Sequence, residues 1–122
     1  MNNKGKGALG EYLAVDFLKK KGYKILSTNA NFCGCELDVV AIKTVKAQKK
    51  QIKIEYKNSE VKYSSSKVYG EPYERVTKEK QKHIIRASEG FMFKNRLQMP
   101  VSYDVISVVG KEINHIENAF YA

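Results

Sequence analysis

Tryptophan is absent from this chain, cysteine occurs twice, and no run of eighteen apolar residues exists. Each shortage removes a class of protein. Without a long apolar run there is no membrane-spanning helix. The apolar stretch from Leu9 to Leu18 is broken by Glu11 and Asp16, which argues against a secretory signal and points to the cytoplasm. Cys33 and Cys35 form a C-x-C pair with no second cysteine cluster to complete the four ligands of a structural zinc site, so buried or partly buried free thiols are expected. Repeats, linkers and low-complexity segments are also missing. The 122 residues, 43% of them hydrophobic, suffice for one modest core, and residues 1–122 read as a single domain. Acids are scarce too: Asp+Glu 13 against Lys+Arg 22 leaves a formal charge of +9. An anionic partner follows, nucleic acid ahead of an anionic membrane, with plain cationic solubility as the bland alternative.

The order of elements can be read from periodicity. "LGEYLAVDFLKKKGY" repeats apolar residues at helical spacing and ends near Gly22, with Lys19, Lys20 and Lys21 where the helix dipole favours cations. "YKILSTNANF", "CELDVVAIK" and "KQIKIEYKN" read as three strands, the last two joined by the polar hairpin loop "TVKAQKK". From Ser59 to Arg75 neither period persists, and a loop is expected. A second helix starts near Thr77, with Ile84, Ala87, Ser88 and Phe91 as its inner stripe. "VSYDVISVV" is a strand, and "EINHIENAF" reads as a short final strand after Gly110. Helix, three strands, helix and one or two strands make an α/β layout with a mixed sheet.

Acids stand where burial is expected. Glu36, Asp38 and Glu55 lie among Leu37, Val39, Val40, Ile42, Ile52 and Ile54. Side chains alternate along a strand, so Glu55 and Lys57 share a face, Glu36 and Asp38 share a face, and Leu37 and Val39 share the opposite one. A hairpin of the two strands would gather three carboxylates and one lysine. Carboxylates about 4 Å apart repel by roughly 4 kcal/mol at an effective dielectric near 20, and one lysine does not neutralise three acids. Such a group either takes up protons or binds a divalent cation. Oxygen ligands favour Mg²⁺, and an acidic cradle on a basic protein suits phosphodiester hydrolysis. Solvated cross-strand ion pairs are the structural alternative. Glu11 falls at the edge of the first helix's buried face, so a fourth acid points to the sheet. Lys80 and Gln81 look inward at the start of the second helix, where an anionic phosphate is favoured, unless Lys80 simply snorkels.

In order, "GALGEYLAVDFLKKKGYKIL-TNA", "GCELDVVAI", "IKIEYK", "VTKEKQKHIIRAS", "YDVISV" and "HIENAF" resemble the YraN-type family of proposed endonucleases. That family is similar to archaeal Holliday-junction resolvases and falls in the PD-(D/E)XK nuclease superfamily. The match covers nearly the whole chain. It implies a restriction-endonuclease-like αβββαβ core, a mixed β-sheet flanked by helices, with Mg²⁺ or Mn²⁺ as cofactor. It further implies Asp38 as the main metal-bridging carboxylate, Glu55 as second ligand with the Tyr56 carbonyl, and Lys57 as the catalytic lysine. Glu11 matches the helix-borne acid of resolvase-like members, Glu36 an auxiliary acid, and Lys80 and Gln81 an auxiliary helix motif. The chain departs from the pattern in four places. Cys35 replaces a glycine, Tyr56 stands where valine is frequent, Ser59 where arginine is, and "SYD" lacks the arginine that precedes a late "FD" pair.

The resemblance implies a metal-dependent nuclease acting on DNA, branched or junction DNA included, and by analogy a homodimer, since resolvases act as dimers because a four-way junction presents two equivalent strands. The competing reading is a nucleic-acid-binding protein that keeps the fold without cutting. Lys19, Lys20, Lys21, Lys43, Lys46, Lys49, Lys50 and Lys53 would attract a backbone in either case, and Tyr63, Tyr69 and Tyr73 would stack on exposed bases. A metal-free mechanism through His83 and His115 requires them to converge, and their positions give no sign of it; both read as surface or capping histidines.

Overall fold

The computed structural model describes residues 3–46, 52–64 and 76–122, with side chains described at 9–44, 57, 59, 61 and 76–122. Elements follow the order α1 (Asn3–Lys20), β1 (Lys24–Phe32), β2 (Cys35–Lys46), β3 (Ile52–Ser64), α2 (Lys78–Lys94), β4 (Val101–Val109) and β5 (Glu112–Phe120). This is the expected αβββαβ order with a full-length fifth strand. None of the helices is long and apolar enough to cross a membrane, among the described residues.

Helix α1 stops where the sequence says it must. Gly22 takes φ +94°, its N–H bonds the Lys19 carbonyl, and the Tyr23 N–H bonds the Leu18 carbonyl. Those two bonds satisfy carbonyls the helix would otherwise leave open, in a conformation only glycine adopts without strain. At the other helix, Thr77 caps α2 by accepting from the Lys80 N–H at 3.1 Å, as expected of an N-cap.

The five strands form one sheet in the order β1-β2-β3-β4-β5, antiparallel except for the parallel β3–β4 pair. The sequence puts α2 between those two parallel strands, as a crossover connection requires. The helices cover opposite faces. Ala14 and Leu18 of α1 pack with Val39, Ala41, Ile106 and Val108. Ile84, Ala87, Phe91 and Met92 of α2 pack with Leu37, Val40 and Tyr103.

Strand β3 corrects the sequence reading most. The expected loop from Ser59 is strand as far as Ser64, because β4 pairs with every residue from Tyr56 to Ser64. Pairing along the β4 edge supplies backbone hydrogen bonds that outweigh the poor strand propensity of "NSEVKYS". Residues 65–75, with Tyr69 and Tyr73, and residues 47–51, with Lys49 and Lys50, lie outside the described residues. So do the side chains of Lys46, Lys53 and Tyr63. Of the two thiols, Cys35 is buried as expected, whereas Cys33 is exposed. Cys33 and Gly34 both have positive φ, +53° and +75°, and form the two-residue β1–β2 turn between the paired Phe32 and Cys35.

Candidate metal centre

Glu36 and Asp38 leave the β1–β2 turn along β2, and α1 crosses above them. Oxygens of Glu11, Glu36 and Asp38 all lie within 4.8 Å of one another. The helix-borne acid expected to point at the sheet therefore meets two of the three strand acids. Among the described residues no lysine, arginine or histidine forms an ion pair with any of the three. Burial pushes the Glu11 carboxyl up; the Asn29 amide, donating to Oε2 at 2.9 Å, opposes this, while the charges of Asp38 and Glu36 add to the rise.

The strands are irregular here. Ala41 and Val39 face α1 and Val40 faces α2, as alternation demands, yet Leu37 and Cys35 also face α2. Leu37 and Val39 therefore do not share a face, contrary to expectation. β1 changes phase at the same level: Thr28 pairs with Val39 and Ala30 with Leu37, and the residue between, Asn29, has φ +54°. The ladder from β2 to β3 ends at Val39–Ser59. Beyond it the Asp38 carboxylate accepts the Val61 N–H at 2.8 Å, filling the gap where the two strands part. In an extended strand the C=O of a residue points to the same edge as its N–H, so the Val61 carbonyl also faces this gap.

Register separates the other sequence-derived site residues from this centre. Glu55 pairs with Lys43, five residues along β2 from Asp38, or about 17 Å at roughly 3.4 Å per residue. The side chains of Glu55 and Tyr56 are outside the described set. Lys57 pairs with Ala41 and is 5% exposed, but it reaches β4 and β5 instead: Nζ donates to Ser102 Oγ at 3.2 Å and lies 3.6 Å from Asp104 and 3.4 Å from Glu117. It does not join the acids of α1 and β2. Lys80 and Gln81 are half-buried, and Gln81 Nε2 donates to the Val76 carbonyl at 3.2 Å, closing the start of α2.

The register also brings a second acid and lysine of β3 beside this gap in the chain. Glu60 and Lys62 flank Val61, the residue bonded to Asp38, and Glu60 follows directly on the last rung of the ladder. The signal was present as a second E-x-K in the same strand. Assigning Ser59–Arg75 to a loop hid it. This second E-x-K has valine between acid and lysine, where the first has Tyr56.

A second cluster occupies the same face. Asp104, fully buried, accepts from Ser102 Oγ and from the Asn118 N–H at 3.1 Å, and His115 Nε2 lies 2.6 Å from its other oxygen. Lys21 Nζ donates to His115 Nδ1 at 3.3 Å, so Nε2 carries the ring proton and donates to Asp104. Burial alone would push the Asp104 carboxyl up, but the bonds from His115, Ser102 and Asn118 and the charge of Lys57 hold it below its ordinary value. His115, expected at the surface, is thus a buried partner of Asp104, whereas His83 is exposed; the two do not converge.

The sequence model of the family described as "Uncharacterised protein family UPF0102" matches residues 10–108. Similar chains include a UPF0102 protein of Clostridioides difficile (strain 630), 41% identical over 98% of this chain and 100% of its own length. One from Alkaliphilus oremlandii is 39% identical over 97% and 99%, and one from Flavobacterium psychrophilum 36% over 94% and 92%.

Proposed function

This chain belongs to the protein family UPF0102, and on that premise we propose that it is a metal-dependent nuclease hydrolysing DNA phosphodiesters, with branched or junction DNA as the substrate class to test first. The observation that carries this reading is the convergence of Glu11, Glu36 and Asp38 within 4.8 Å, with no described cation beside them, in a chain of net charge +9. Like charges held together in a partly buried corner favour either protonation or a dication. The donor set fits Mg²⁺ or Mn²⁺: all ligands are hard oxygens, and exposed Glu36 leaves an open side for water and phosphate.

Asp38 is the central ligand, held in the strand gap by the Val61 N–H, and Glu11 closes the site from the helix. The Val61 carbonyl is a further oxygen at the same gap, and Glu60, next to Val61 in the chain, is assigned as the β3 acid of the site. When bound, the metal would polarise the phosphoryl oxygen and lower the pKa of an attacking water. Lys62, two residues along β3, is assigned to orienting that water and stabilising charge on the phosphate. Exposed Lys19, Lys20, Lys21 and Lys24 draw the nucleic-acid backbone.

Incubation with linear, single-stranded, flap and four-way DNA and an RNA control, in Mg²⁺, Mn²⁺ or chelator, tests this. Cleavage is expected only with metal, abolished by Asp38→Ala and by Glu60→Ala and retained by Glu55→Ala. Binding should persist in Asp38→Ala, since a charge facing the phosphate is lost. Salt-sensitive binding without metal-dependent cutting of any substrate would leave the non-cleaving DNA binder as the function. Cleavage persisting in chelator would end the metal mechanism.

A further inference from the structure

Asn29 is a non-glycine residue in the left-handed region inside a strand, at φ +54°. Asparagine tolerates that region better than most residues, but within a β-ladder it costs regular pairing. Two consequences meet at this one position. The face alternation of β1 and β2 slips between the Thr28–Val39 and Ala30–Leu37 rungs. Without the slip, Glu36 would fall on the face of Val40, toward α2 and away from Glu11. The Asn29 side chain also spans to α1, where Nδ2 donates to Glu11 Oε2 at 2.9 Å.

We propose that Asn29 is the positioning residue of the metal centre: its left-handed backbone turns the β2 acids to the α1 face, and its amide fixes Glu11 over them. The inference rests on the metal-site reading above and deepens it. A donated amide N–H fixes one Glu11 oxygen and leaves the other for an ion, the outer-shell arrangement that typically carries about 10–100-fold in metal affinity.

Two variants separate the two roles. Asn29→Gly keeps a backbone that enters the left-handed region freely and removes only the amide. Asn29→Ala removes the amide and disfavours the conformation. Mn²⁺ affinity by calorimetry, with circular dichroism and urea melts to confirm folding, is expected to fall about tenfold in Asn29→Gly and about 100-fold in Asn29→Ala. In a Glu11→Ala background Asn29→Gly should cost nothing further, because its amide acts through Glu11.

Wild-type affinity in a folded Asn29→Gly protein, or an equal loss with and without Glu11, would overturn the proposal. Should Asn29→Ala fail to fold, the glycine cycle still decides. Wild-type protein that binds Mn²⁺ but cuts no DNA would sink hydrolysis alone and leave the Asn29 result standing. Failure of the wild type to bind Mn²⁺ would overturn both.

Discussion

Two acidic clusters share the α1 face of one sheet and differ in who supplies the positive charge. Around Asp104 the fold supplies it: Lys57, the His115 N–H, Ser102 and the Asn118 backbone surround a carboxylate with no exposed surface. Around Asp38 the described residues supply one backbone N–H to Asp38 and one amide to Glu11, for three carboxylates. A buried charge with a full set of partners is a structural device, because breaking it strands the rest. Acids gathered without a cation gain nothing for the fold, and the proposed metal would account for their cost. Each cluster is served by an asparagine in the left-handed region, Asn118 for Asp104 and Asn29 for Glu11. The same local device therefore supports both a closed site and an open one.

The sharpest way to break this contrast is to remove the central acid from each cluster. Asp104→Ala leaves Lys57 buried without its fully buried partner, and a loss of about 3–5 kcal/mol in urea unfolding is expected, independent of metal. A loss under about 1 kcal/mol would mean that the cluster is not the anchor described.

Metal provides the next effect in size. Mn²⁺ at about 100 times its Kd should stabilise the wild type by about 2.7 kcal/mol. That gain should vanish in Asp38→Ala and survive in Glu117→Gln, which alters the half-exposed acid of the other cluster. Thermal shifts with and without Mn²⁺ measure both, and survival of the gain in Asp38→Ala would reverse the assignment.

The smallest effect is a difference of sign with pH in metal-free protein. The Asp104 pKa is depressed in the folded state, so its stabilisation is present above the unfolded value and lost as pH falls through the folded one. The Glu11 pKa is raised, so its contribution is present below the unfolded value and lost as pH rises through the folded one. Unfolding across the acidic range should therefore show Glu11→Gln gaining on wild type toward neutral pH and Asp104→Asn losing. Parallel profiles would erase the distinction.

Much of the scaffold was legible locally. Gly22, Thr77 and the apolar stripes of α1 and α2 signal their roles through backbone conformation, capping and period, none of which needs a distant partner. The inward turn of Glu11 was legible for the same reason. The partner of Asp38 on β3 was not. "IEYK" and "SEVK" offer the same acid and lysine spacing five residues apart, and only the pairing of β3 with β2 and β4 chooses between them. The more strand-like residues surround the former, whereas the latter is held as strand by its pairing with β4. The surroundings of Lys57 were hidden for the same reason: an inward lysine seeks an acid, and Asp104, which it meets, lies 47 residues away in sequence.

By itself, then, the sequence determined the order and ends of the helices and strands, the basic surface and the presence of surplus acids in apolar company, because these follow from short-range periodicity and counting. Tertiary structure decided which acids meet, which already has a cation and which face each one takes. Register and a single left-handed residue set those outcomes, and a one-residue change of phase reverses the face of every side chain beyond it.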